Sequence, residues 1–90
     1  MMRAVIEGAA IATLDDAWDA LAAALALPGH FGRNLDALHD CLTGDVPGPL
    51  TIEWRDAAAS EQALGAAFAR LRATLEEAAT ERADLRVEFR

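Results

Sequence analysis

The chain has 90 residues, 53% of them hydrophobic, with a formal net charge of −7 and a sequence pI near 4.6. That length fits a single domain, 1–90, burying just over ~60% of its unfolded surface. The acidic balance argues against nucleic acid as a direct partner, since a polyanion would be repelled, and leaves solubility or a basic protein partner as its meaning. The one cysteine, Cys41, excludes an internal disulfide framework. No apolar run approaches the roughly 18 residues of a membrane span, and Glu7 interrupts the first apolar stretch too soon for a secretory signal. A cytoplasmic protein without membrane association is the expectation. All the basic residues are Arg, which together with the many Ala reads as genome composition rather than function.

In chain order, Arg3-Ala4-Val5-Ile6 is a β-type run ending at Gly8, and its unbroken apolar stretch places it at the centre of a sheet. Thr13 before Leu14-Asp15-Asp16 has the form of a capping box, with two carboxylates in the favourable first turn. Leu14, Trp18, Leu21 and Leu25 follow at helical spacing, and Pro28-Gly29 ends that helix. Trp18 on this stripe reads as core.

The stretch from Phe31 to Gly44 is the most informative. As a helix it sets Leu35, Leu38, Cys41 and Leu42 on one stripe and Asp36, His39, Asp40 and Thr43 on the other side, stopping at Gly44. Cys41 on the apolar stripe reads as a small buried hydrophobe. Asp36 and Asp40 are like charges at i, i+4, which costs an isolated helix roughly 0.2–0.5 kcal/mol. No Lys or Arg follows four residues on to relieve either.

Leu50 to Trp54, introduced by Pro47-Gly48-Pro49, and Leu85 to Phe89 alternate apolar and polar residues, as half-buried edge strands do. Between them, Asp56 is placed to cap an Ala-rich turn through Ala57, Ala58 and Ala59. Leu64, Phe68, Leu71, Leu75 and Ala78/Ala79 mark an amphipathic stretch reaching Arg82. Propensity leaves open whether Gly65 divides this region into two helices, since Gly costs only ~1 kcal/mol against Ala. Strands alternating with helices predict βαβ units: an α/β fold with a three-stranded parallel sheet.

The polar face of the Asp36 helix admits several chemistries. Asp36, His39 and Asp40, with His30 nearby, could be drawn as a metal site, but there is no HExxH motif and no paired cysteine ligand. His39 with either Asp could be an acid–base pair, but no phosphate loop, nucleophile elbow or cofactor motif accompanies it. No metal, cofactor or enzymatic activity is therefore expected. Taken alone, these residues read most simply as solvated charges.

The run Gly32-x-Asn34-Leu35-Asp36-Ala37-Leu38-x-Asp40-x-Leu42-Thr43-Gly44 resembles the signature of the barstar family, intracellular protein inhibitors of secreted bacterial ribonucleases. Ala4-Val5-Ile6-x-Gly8, Ala24-Leu25-Ala26-Leu27-Pro28, Leu50-x-x-Glu53-Trp54-Arg55 and Asp84-Leu85-x-Val87 resemble other parts of the family pattern. The resemblance implies about four helices on the sheet, with two helices rather than one around Gly65. It further implies a basic ribonuclease as partner, bound 1:1, whose anion-binding active site is plugged by the acidic helix. Asp40 would be the inserted carboxylate, Asp36 would lie beside it and Glu77 would reach across from the later helix. Thr43 and Gly44 would border that surface, and backbone groups from His30 through Asn34 would add contacts. Glu77 could equally be part of a plain surface cluster with Glu76 and Glu81. The chain departs from the pattern at His30, His39 and Asp45, where the best-known members tend to carry aromatics. That leaves Phe31 as the candidate aromatic anchor and shifts the surface toward electrostatics. An immunity or adaptor module, binding a basic partner that is not a ribonuclease, is the rival reading.

Overall fold

Period-2 apolar residues need partner strands before their backbone groups are satisfied, and here the partners come from three widely separated segments. The structure is a computed structural model describing residues 2–90. Strands β1 (Met2–Glu7), β2 (Leu50–Arg55) and β3 (Leu85–Phe89) form one parallel sheet ordered β1-β2-β3. Its register sets Ile6 beside Trp54 and Trp54 beside Phe89. The helices are α1 (Leu14–Leu25), α2 (Leu35–Asp40), α3 (Ala57–Leu64) and α4 (Ala66–Glu81), with a π-helical turn, Cys41–Asp45, continuing α2. The α/β class with a three-stranded parallel sheet and four helices is the observed one. Among the described residues, no helix is long and apolar enough to cross a membrane.

The central strand is β2, not β1, which corrects the order expected from hydropathy. β2 alternates because Glu53 on its outer side is buried under Arg3 of β1, Arg55 of β2 itself and Arg90 just past β3. β1 reads as continuously apolar because Val5, on the outer side, lines a groove with Ile11 and Ala20 beside the open edge of the sheet.

On the inner side, Ile6, Leu50, Ile52 and Trp54 join Leu21, Leu38, Leu42, Phe68, Leu71 and Leu75 in one buried cluster. Trp54 meets Phe68 edge-on at 5.4 Å between ring centroids and lies over Phe89 at 6.2 Å. Its indole N–H donates to Ser60 Oγ at 3.0 Å, and the Ser60 hydroxyl donates to the Gly8 carbonyl at 3.0 Å. The chain approaches so closely here that a Cβ on Gly8 would lie 2.2 Å from the Arg55 carbonyl oxygen, so this corner requires glycine.

Local signals decide most element ends. The capping box forms as expected: Thr13 Oγ1 accepts from the Asp16 N–H at 3.2 Å, and Asp16 Oδ2 accepts from the Thr13 N–H at 3.1 Å. α1 stops at Leu25, earlier than Pro28-Gly29 suggests, because Ala26 turns into the left-handed region at φ 52°. Leu14, read as part of the apolar stripe, is exposed. Gly65 divides α3 from α4 with φ 56° and ψ −127°, a conformation open only to glycine. Asp56 precedes α3 but its side chain makes no capping hydrogen bond, correcting that expectation. Its carbonyl accepts from the Ala59 and Ser60 N–H groups instead.

Candidate functional site: the acidic face of α2 and α4

A six-residue helix has too few internal hydrogen bonds to stand alone, so α2 depends on its ends and its buried side. At the start, Asn34 Oδ1 accepts from the Ala37 N–H at 2.8 Å, and its Nδ2 donates to the Gly32 carbonyl at 3.2 Å. This is the N-cap arrangement that Asn favours. Arg33, in the left-handed region at φ 53°, ties the same loop to α1 through Asp19 Oδ1 at 2.9 Å and the Asp15 carbonyl at 3.3 Å. Leu38, Cys41 and Leu42 are buried, and burial pushes the Cys41 thiol pKa up, so Cys41 stays a protonated filler.

The buried stripe fixes which residues look outward. Asp36, Asp40, Thr43, Gly44 and Asp45 are exposed, and His39 is half-buried between α2 and α4. Leu35, Asp36, His39, Thr74 and Glu77 line one hollow of about 160 Å³, so Glu77 does meet the α2 face across the helix pair. The Thr43 hydroxyl donates to the His39 carbonyl at 2.9 Å, turning its side chain back onto the helix.

The loop before α2 turns two of its side chains to the fold. Phe31, expected as the aromatic anchor, is buried edge-on to Trp18 at 5.9 Å, so its ring packs into the core of the free chain. Asn34 spends its side chain on the helix cap. His30 is exposed in the preceding loop, apart from the hollow.

Sequence reasoning missed the role of Glu81. Its carboxylate sits against His39 Nε2, and His39 Nδ1 is 3.9 Å from Asp40 Oδ1. The Glu81 hydrogen bond, reinforced by the charges of Glu81, Glu77 and Asp40, raises the His39 pKa above its ordinary value. The i, i+4 spacing of Glu77 and Glu81 was the available signal, but which helix they face is a tertiary fact. His39, Glu77 and Glu81 also bring one ligand atom each within 4.8 Å of one another, replacing the Asp36–His39–Asp40 grouping the sequence suggested. A His with two carboxylates is a donor set that zinc accepts, though exposed clusters of this kind are common without an ion.

The arrangement has no nucleophile activated by a base and no closed cleft. It offers an exposed anionic surface carried on two helices, with a shallow hollow between them. Among the described residues, no Arg lies within salt-bridge distance of Asp36, Asp40, Asp45 or Glu77. Such carboxylates are free to accept charge-assisted hydrogen bonds from a group outside the molecule.

Comparison with known proteins identifies the family. The family described as Barstar (barnase inhibitor) matches residues 1–90, the whole chain. A protein of Bacillus subtilis (strain 168) named "Putative ribonuclease inhibitor YrdF" is 40% identical over 65 residues, covering 72% of this chain and 71% of that protein. A family match along the entire length, together with that relative, places the chain: it belongs to the barstar family.

Proposed function

We propose that this chain inhibits a secreted-type bacterial ribonuclease by seating the Asp36/Asp40 face of α2 in its active site. Family membership supports ribonuclease inhibition in general, and barstars are inhibitors rather than enzymes. The observation that carries the finer reading is the exposed pair Asp36 and Asp40, held on one face by the buried Leu38 and Leu42 and with no Arg within salt-bridge distance of either among the described residues. A ribonuclease gathers cationic groups around the phosphate it cleaves. Carboxylates delivered there replace the phosphate oxygens as acceptors in a site built for an anion.

Asp40 takes the central position, with Asp36 beside it, Glu77 reaching from α4, and Thr43 and Gly44 at the margin. The His30–Asn34 loop contributes backbone groups. The reaction is blocked sterically and electrostatically, and no bond is made or broken. The partner is a basic protein bound 1:1, encountered in the compartment where the inhibitor is made, the cytoplasm. Titrating the purified chain against a panel of secreted bacterial ribonucleases tests the reading. Stoichiometric loss of RNA cleavage for at least one enzyme is expected. Binding to basic proteins with no inhibition of any ribonuclease would favour the adaptor reading instead.

A further inference from the structure

The end of α2 is held by a residue that no sequence pattern pointed to. The last carbonyls of a helix lack intrahelical donors, and the π-helical turn that ends this one closes through the Val46 N–H to the Cys41 carbonyl at 2.9 Å. Arg82, just past the end of α4, reaches into that turn. Its Nη1 donates to the Leu42 carbonyl at 2.7 Å and to the Val46 carbonyl at 2.7 Å. Its Nε donates to Asp84 Oδ1 at 2.6 Å, which fixes the plane of the guanidinium. The Asp84 carbonyl in turn accepts from the Leu50 N–H at 2.9 Å, at the start of β2. The side chain is only 15% exposed. Its neighbour Glu81 contacts His39, so consecutive residues at the end of α4 touch both the outward face and the end of the acidic helix.

We propose that Arg82 is a positioning residue for the inhibitory surface, clamping the Leu42–Val46 turn to the Asp84 corner so that Asp40 and Thr43 stand at a fixed height and angle. This rests on the inhibitory reading of α2. A planar fork with several donors suits the task, because one group bridges two carbonyls and a carboxylate at once. The cation also lies at a helix C-terminus, where positive charge is favoured.

Arg82→Met and Arg82→Lys test it, each measured by amide hydrogen exchange and by ribonuclease association and dissociation. In Arg82→Met, exchange across Leu42–Val46 should rise about tenfold or more while the Ile52 and Trp54 amides stay protected. Dissociation of the ribonuclease should speed up about tenfold, with association unchanged or faster, because a cation has left an acidic surface. Arg82→Lys should fall between, since an ammonium cannot span all three acceptors. Unchanged exchange in the turn, an equal rise over the whole chain, or faster local exchange with unaltered dissociation would each overturn the proposal. If Arg82→Met does not fold, Asp84→Asn frees the guanidinium from its anchor and should show the same two changes at smaller size. A parent chain that inhibits no ribonuclease would defeat the inhibitory reading, while the exchange measurement would still decide whether Arg82 holds the turn.

Discussion

Two surfaces of this molecule are rich in carboxylates and treat them in opposite ways. On the outer face of the sheet, Glu53 is met by Arg3, Arg55 and Arg90, Glu88 by Arg3 and Arg90, and Glu7 by Arg55. The Glu53 side chain is 6% exposed, and the Arg55 hydrogen bond holds its carboxyl below the usual carboxylate range. On the α2–α4 face the Asp40 side chain is 84% exposed, and its nearest basic neighbour is His39 at 3.9 Å. Arg and Glu nearly balance on the outer sheet face, so the chain's net charge of −7 is carried by the helices and loops. Internally paired acids serve the fold. The acids on α2 lack that pairing and repel one another, so a cationic surface brought against them would be stabilising.

The largest expected effect is on binding. Removing Asp40 leaves cationic groups of the ribonuclease buried and unpaired, so Asp40→Ala should cost upwards of about 2–5 kcal/mol of inhibition, mainly in dissociation. That is the range for buried interfacial charge pairs in general, this family's own complexes among them, and is not specific to this chain. Asp45→Ala, at the last residue of the π-helical turn and on the rim in this reading, should cost under about 1 kcal/mol. Neither change should lower the melting temperature. Equal losses from both would place the partner on a different surface.

A change of comparable size, but in stability, is expected beneath the face. Leu38 is fully buried, so Leu38→Ala should destabilise the fold by about 2–5 kcal/mol in denaturant unfolding. If unfolding matched the parent, α2 would be rotated from the orientation that turns Asp36 and Asp40 outward.

The charge asymmetry should appear next in rates. Association should exceed the unsteered 10⁵–10⁶ M⁻¹s⁻¹, roughly, and fall steeply as salt rises from about 50 to 500 mM in stopped-flow measurements. A flat profile would reduce the acidic face to solubility.

The smallest effect belongs to His39, whose pKa Glu81 raises above 6.5. A cationic cleft disfavours the imidazolium, so binding should expel its proton, and affinity should rise as pH increases from below 6.5 through the raised value. Stability moves the other way. The favourable His39–Glu81 pairing is fully present below 6.5 and is lost as pH climbs through the folded-state value. His39→Gln, compared with the parent against one ribonuclease, should flatten both slopes because the enzyme's own titrations cancel. Parallel pH profiles for the two proteins would remove His39 from the interface.

What the sequence revealed of this contrast follows from the range of each interaction. The outward facing of Asp36 and Asp40 was legible because it follows from helical spacing against Leu38 and Leu42, and the Thr13–Asp16 cap because it spans four residues. The sheet order was not, because Glu53 looks like a solvent-facing residue until arginines from three strand segments close over it. Phe31 lies in a polar loop between His30 and Gly32, and only the approach of Trp18 buries it. The contacts of Glu81 and Arg82 with the acidic helix depend on how α4 crosses α2, which no local pattern encodes.

Mapping the bound surface tests the division between the two faces most directly. Backbone amide shifts would be followed by NMR as an inhibited ribonuclease is titrated into isotopically labelled protein. Shifts should concentrate from His30 through Asp45 and along the Glu77–Glu81 edge of α4, with Arg3, Glu53, Arg55 and Arg86 unmoved. Shifts centred on the Arg-and-Glu face of the sheet, with Asp36 and Asp40 unperturbed, would contradict it.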